Sequence, residues 1–429
     1  MKRRTVLTGM TLGTLGLAAC GSGSGSGSGG DAVEITYMHR LPDGDGMTKV
    51  DDIVATWNKD NPSIQVKAVK FDGKANEMIV RLENEISAGT APDLAQLGYA
   101  EIPSLFTKGL VQDVVKEAEK YEKNFAAGAY GLMKVGEAVV GLPQDTGPLV
   151  YYYNAEEFEK LGLKVPTTAD ELVEVATTAA AAGKFAISFQ PDEAQYWLSG
   201  QAAAAGAVWF SAEGDKWKVD VTSAETATVA EFWQKILDAK AALTEPRWGE
   251  GFTKNLVEQN LIGTIGAAWE APLLSGDMAD TPNVGQWKVV QLPTFGDKAM
   301  TGPDGGSGVA VLKGSEHQAE AMEFLNWFNT QVADLATQGL VVAATGDVTT
   351  PKDVAEFYGG QDVMSELQAA NKSMNPDFIY MPTWPAVNDP MMRAADAAAT
   401  GAAPVSEVFT AAQDASVSSL KDAGLPVDA

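Results

Sequence analysis

With only one cysteine, Cys20, among 429 residues, the chain can form no intramolecular disulfide. Its two histidines, His39 and His317, are too few for a His-rich zinc or copper site. Positive charge is also scarce, with 31 Lys and Arg against 57 Asp and Glu, a formal net charge of −26. The acids are spread along the chain and form no block. Such a surface repels nucleic acid and anionic membrane, and solubility is the plain reading of it. Beyond residue 20 no apolar run of about 18 residues occurs, so no transmembrane helix is expected. The G-x-S-x-G elbow, the P-loop and the H-E-x-x-H motif are all missing. What is present is ordinary for a globular protein: 45% hydrophobic and 21% charged residues, with a generous ten tryptophans. The length allows two lobes that each bury a core.

The first residues carry an address. Lys2, Arg3 and Arg4 precede an apolar run from Val6 to Ala19, too short to span a bilayer and suited to a signal peptide. The run ends in Leu17-Ala18-Ala19-Cys20-Gly21, which resembles the bacterial lipobox. That resemblance implies cleavage before Cys20, acylation of its thiol, and a mature protein held by lipid at the extracellular face of the cell membrane. Two acyl chains suffice for stable anchoring where one is reversible. Arg3-Arg4 also permits twin-arginine export. Residues 21–30, GSGSGSGSGG, follow as a flexible tether.

The body then alternates strand and helix. Val33–Met38 reads as a strand, Val50, Ile53, Val54 and Trp57 share one helix face, and Asn61-Pro62 stops that helix. Ile64–Val69 and Asp93–Leu97 are further strands flanking a helix around Met78–Ile86. This order predicts parallel pairing through right-handed crossovers, the α/β class. Ligands of such sheets sit beyond the carboxyl ends of the strands, which selects the loops 39–46 and 98–103. Downstream, Leu149–Tyr153, Gly263–Ala268 and Gly308–Leu312 read as strands. Helices are expected over 169–182, 194–205 and 226–242, and from Ala319 onward.

Several stretches together resemble the bacterial extracellular solute-binding family that includes maltose-binding protein. They are Glu85–Asp93, Gly141–Asn154, Leu292-Pro293, Gly305–Val311 and Ala319–Leu325. The resemblance implies an α/β, two-lobed periplasmic-binding-protein (type II) fold whose chain crosses the hinge three times. Mapped here, the crossings are 143–148, 263–268 and 307–311. The N-terminal lobe is then 31–143 with 268–307, and the C-terminal lobe 148–263 with 311–429. It further implies a monomeric binding protein without cofactor or catalysis, which captures an oligosaccharide and delivers it to the permease subunits of an ABC importer. Glycine-rich crossings suit a hinge, because a few residues there must absorb the change in φ and ψ.

Sugars present flat C–H faces and hydroxyl rims, so a sugar cleft needs aromatic plates and planar polar groups. By resemblance, Trp269 after the second crossing and Trp384 between two prolines are the stacking candidates. Tyr196 and Trp197, after Gln190–Glu193, resemble the family's sugar-contacting turn, with a core role equally open. Asp145 stands at the first crossing, and Tyr99 and Glu101 follow the third strand. Maltose-binding protein carries an acid and an arginine where Tyr99-Ala100 aligns, which argues against maltose as ligand. His39, Arg40, Asp43 and Asp45 populate the first loop, where simple solvation is an equal alternative. Glu270 is placed to bind hydroxyls or to pair with Arg393, and Ser307 to offer a hydroxyl or to shape a glycine turn. Trp57, Trp233 and Trp327 lie on helical stripes and are assigned to the core. Trp209, Trp217, Trp248 and Trp287 stay unassigned, Trp248 being the best candidate for exposure.

The rival from another class is a secreted glycoside hydrolase, which needs two carboxylates about 5–10 Å apart. Asp145 and Glu270 are the available pair, but they sit on hinge strands that move, whereas catalysis needs fixed placement. A solute-binding protein for a metal chelate, peptide or polyamine is the third reading. Tryptophans at the expected site speak against a polyamine.

Overall fold

The computed structural model describes residues 32–428 apart from 45, 46, 74, 215 and 347. Cys20, the lipobox, the tether and Asp45 lie outside the described residues. The first strand, β1 (Val33–His39), buries Ile35 and Tyr37 as its sequence suggests, and at its end Met38 and His39 as well. Helix α1 (Val50–Asp60) buries Val50, Ile53, Val54 and Trp57 along one stripe, with Asp51 and Asp52 in its first turn and Lys59 in its last. Those charges oppose the partial charges at the two helix ends. Strand β2 (Ile64–Lys70) pairs in parallel with β1 over its whole length, and β3 (Leu94–Gly98) pairs in parallel with β1 on the other side. Helix α2 (Ala75–Ala88) supplies the crossover between β2 and β3.

The chain then enters β4 (Gly141–Asn154), a 14-residue strand that the sequence divides into a crossing and a short strand. Pro143 and Pro148 do not break it, because each sits where pairing with the neighbouring strand is irregular or ends. The first half of β4 pairs antiparallel with β7 (Pro303–Val311), and β7 pairs antiparallel with β3. The second half pairs with β5 (Gly263–Ala267) on one side and β6 (Trp287–Gln291) on the other, both antiparallel. Among the described residues these strands form a seven-stranded sheet in the order β6–β4–β7–β3–β1–β2, with β5 joined to β4. The two sets of partners along β4 define two α/β lobes, and the mixed sheet is parallel only where crossover helices intervene.

The core follows the same division. Tyr151 points into a cluster with Trp197, Trp233 and Phe189, while its neighbour Tyr152 points the other way, toward Trp287, Phe357 and Tyr358. That is the period-two alternation of a strand covered on both faces. Trp57, Trp209, Trp233 and Trp287 are buried, and Trp327 and Trp217 are half-buried against the larger cluster. No helix among the described residues is long and apolar enough to cross a membrane.

Helix α3 (Ala194–Ala204) docks directly on the start of β7. A Cβ on Gly200 would lie 2.7 Å from the carbonyl oxygen of Pro303, so only glycine permits the approach. Behind α3, the Trp233 ring packs tilted against Trp197, centroids 4.8 Å apart, and its Nε1 donates to Gln201 Oε1 at 2.8 Å. Replacing so large a buried side chain leaves a cavity and an orphaned acceptor. Trp233→Ala is expected to lower unfolding free energy by about 3–5 kcal/mol in a denaturant titration.

Candidate functional site

Between the lobes opens a cleft of about 330 Å³. From the β1 and β3 side it receives Arg40, Gln96, Gly98, Tyr99, Ala100 and Glu101. The strands β4 and β7 supply its floor, Asp145 and Gly305–Ser307, and the opposite wall is Tyr196, Trp269 and Tyr380. The first group lies at the carboxyl ends of parallel strands, the position that strand order selects for ligands.

The floor is one chain of hydrogen bonds. The Arg40 amide donates to Gln96 Oε1 at 2.7 Å, and Gln96 Nε2 donates to Ser307 Oγ at 2.9 Å. Ser307 Oγ in turn donates to Asp145 Oδ1. From the side, Tyr99 Oη donates to the Asp145 carbonyl oxygen at 2.8 Å. Burial pushes the Asp145 carboxyl up to about 6, against the opposing pull of the Ser307 hydroxyl and the Arg40 charge. Glu101 is likewise raised by burial, while its Oε2 accepts the Gly98 amide at 2.9 Å. Arg40 Nε is buried and has no partner among the described residues.

Two glycines open this floor. Gly305 and Gly306 take φ of +78° and +92°, the left-handed region in which side chains are strained. A Cβ on Gly306 would come within 3.1 Å of the Asp145 carbonyl oxygen and 3.0 Å of the Tyr99 ring. The register shift they introduce in β7 turns Ser307 toward Asp145 and leaves Asp304 on the other side of the strand.

Of the residues singled out in the sequence, the structure brings Tyr99, Glu101, Asp145, Tyr196, Trp269 and Ser307 together around the cleft. Trp384 stands behind the wall, 1% exposed, with its ring 4.8 Å from Tyr380 and 6.2 Å from Tyr196. Trp197 is fully buried and donates to the Ile265 carbonyl oxygen at 3.0 Å, the core alternative of the two open for it. His39 is buried against Tyr37, and its Nδ1 accepts the Leu41 amide at 3.3 Å. Asp43, at φ +51°, spends its carboxylate on the Val50 amide and on Gln338 Nε2, at 3.0 and 2.8 Å. It shapes the loop and does not line the cleft. Glu270 is fully buried and pairs with Arg247, not with Arg393. Trp248 is half-buried on Phe252 rather than exposed, and it adopts a left-handed φ of +59°.

Sequence reasoning missed Gln96 and Tyr380. Gln96 sits inside a strand, where an isolated amide looks like a solvated position. Tyr380 precedes Trp384 in a proline-containing stretch, and the larger indole drew the assignment.

Comparison with known proteins places this geometry in a class. The family model for bacterial extracellular solute-binding proteins matches residues 43–334, and the chain belongs to that family. Among solved structures it is similar to the galacto-N-biose/lacto-N-biose I-binding protein of the ABC transporter from Bifidobacterium longum, in complex with lacto-N-biose. The TM-score is 0.85 at 54% identity, covering 93% of this chain and 100% of that one. Among curated proteins it is similar to the arabinooligosaccharide-binding protein of Halalkalibacterium halodurans, 22% identical over 289 residues. It is also similar to the multiple sugar-binding protein of Streptococcus mutans, 28% identical over 162 residues. Those matches cover 64% and 37% of this chain, and the chain spans 63% and 36% of the respective relatives.

The raised Asp145 carboxyl gives a pH signature. Between an ordinary 3.8 and about 6 the folded chain keeps a proton that the unfolded chain has lost, so this group's contribution to stability falls as pH rises through that window. Above it the contribution is flat. Asp145→Asn keeps the oxygen that Ser307 uses and removes the titration. The difference in melting temperature between wild type and variant is therefore expected to change between pH 4 and 6 and to be constant above about 6.5.

Proposed function

We propose that the chain is the substrate-binding lipoprotein of an ABC importer, which holds a short neutral oligosaccharide between its lobes and passes it to membrane permease subunits. The observation that carries this reading is the pairing of one half-exposed indole, Trp269, with a floor of linked polar groups in a cleft of about 330 Å³. That volume lies at the small end of ligand pockets and suits a disaccharide better than a long chain. Trp269 offers a flat apolar plate for a sugar face. Asp145, Glu101, Arg40 and the Tyr196 and Tyr380 hydroxyls offer a rim of donors and acceptors for hydroxyl groups. Similarity to a protein solved with lacto-N-biose supports a galactosyl–hexosamine disaccharide as the first ligand to try.

Strands β4 and β7 and the end of β5 are the proposed hinge, at 143–148, 263–268 and 307–311, about which the two lobes would close on the sugar. The carboxylate pair that the hydrolase reading invoked, Asp145 with Glu270, does not face the cleft, because Glu270 is 0% exposed and is spent on Arg247 and on the Ala267 amide. A binding protein that breaks no bond is what this arrangement supports. A monomer anchored outside the membrane through Cys20 completes the proposal.

The test is calorimetry of the soluble body with a glycan panel that starts with lacto-N-biose. Binding of order micromolar, about −8 kcal/mol, is expected, with no product released on incubation. Trp269→Ala should weaken binding by about 1–3 kcal/mol. Trp384→Ala, by contrast, should cost about 3–5 kcal/mol of stability because its ring is packed on all sides. Cys20→Ala should move the full-length protein from the detergent phase to the aqueous phase, and partitioning that survives the substitution would rule out the lipid anchor.

A further inference from the structure

Arg247 lies outside the cleft lining, with a side chain 1% exposed, in the short segment that precedes the helix Glu250–Val257. Its Nη1 donates to Asp304 Oδ2 at 3.0 Å and its Nη2 donates to Glu270 Oε1. The two acids come from distant places: Asp304 from β7 at the hinge, Glu270 from the first turn of α4 (Glu270–Asp277). The same guanidinium sits over the Trp269 indole, with its central carbon 4.7 Å from the ring centroid.

The remaining freedom of that ring is removed at its edges. Trp269 Nε1 donates to the Asp304 carbonyl oxygen at 2.8 Å. A Cβ on Gly147 would lie 3.0 Å from Trp269 Cδ1, and one on Gly305 would lie 3.3 Å from its Nε1, so both glycines press backbone against the ring. The buried Arg247 backs one face, leaving the cleft side as the open one. Only a planar fork can bind two carboxylates and stack on an indole at once; an ammonium is a point charge on a flexible stem.

We propose that Arg247 is a positioning residue for the sugar platform, fixing the Trp269 ring in its binding orientation before ligand arrives. The saving is in ordering: a plate already held loses no rotamer freedom when the sugar lands on it. The two acids keep the cation from swinging away, and Asp304 holds cation and indole together through its side chain and its carbonyl. This inference rests on the sugar-cleft reading above.

A double-mutant cycle tests it. Arg247→Lys and Asp304→Asn are each made in the native and the Trp269→Ala backgrounds, then titrated with the disaccharide that wild type binds from the panel, with melting temperatures recorded alongside. Arg247→Lys should weaken binding about tenfold in the native background and less than about twofold once Trp269 is gone. Asp304→Asn should show the same coupling with a smaller loss, and it decides the matter if Arg247→Lys does not fold. Equal losses in both backgrounds, or no loss in either, overturn the positioning role while the cleft reading stands. A wild type that binds no saccharide, or a Trp269→Ala variant with native affinity, overturns the cleft reading itself and this proposal with it.

Discussion

The close antiparallel contact of β4 with β7 is the constraint on which the rest of the molecule hangs. A Cβ on Gly141 would lie 1.9 Å from the Val309 carbonyl oxygen, and one on Gly147 would lie 2.1 Å from the Asp304 carbonyl oxygen. At both points the partner strand's carbonyl oxygen takes the space a Cβ would need, so only glycine fits. From this ribbon the cleft obtains Asp145, Gly305, Gly306 and Ser307, and behind it Asp304. Both lobes attach to it: β3, β1 and β2 beyond one end, β5 and β6 along the other. A pair of glycine-containing strands shared by two lobes is also the part of such a structure best able to bend.

The ribbon separates two buried polar systems. On one side Gln96, Ser307 and Asp145 are joined by neutral and charge-assisted hydrogen bonds that face the cleft. On the other, Arg247 is shared by Glu270 and Asp304 and does not reach it. Burying one cation with two acids costs desolvation, which burial also registers by raising both carboxyls, Glu270 to about 7. A cluster of that kind is weak evidence for stability and better evidence for a geometry that must be unique. Here the geometry it defines is that of one indole.

Much of the fold was legible because period and punctuation agreed. The alternation of Val33–Met38, the stripe of α1 and the stop at Asn61-Pro62 each point to a single element, and the structure places them within a residue or two. The length of β4 was not legible, since prolines at 143 and 148 read as breaks unless the irregular partner strand is known. In the site, residues adjacent to glycine crossings could be found by resemblance, whereas the tryptophans could not be sorted by sequence alone. Trp197 follows Tyr196 directly, yet a helix turns the two about 100° apart, sending the indole to Ile265 and leaving the phenol at the cleft. Arg247 carried no signal at all: its partners lie 23 and 57 residues away, brought together only by the fold.

Where a saccharide rests decides whether this cleft is a sugar site. A crystal structure of the body with lacto-N-biose, or with the panel sugar it binds best, is the direct measurement. A pyranose face is expected in van der Waals contact with the Trp269 ring, about 4 Å away, with hydroxyls within hydrogen-bond reach of Asp145 and Glu101. Sugar density anywhere else, with the Trp269 face bare, would contradict it.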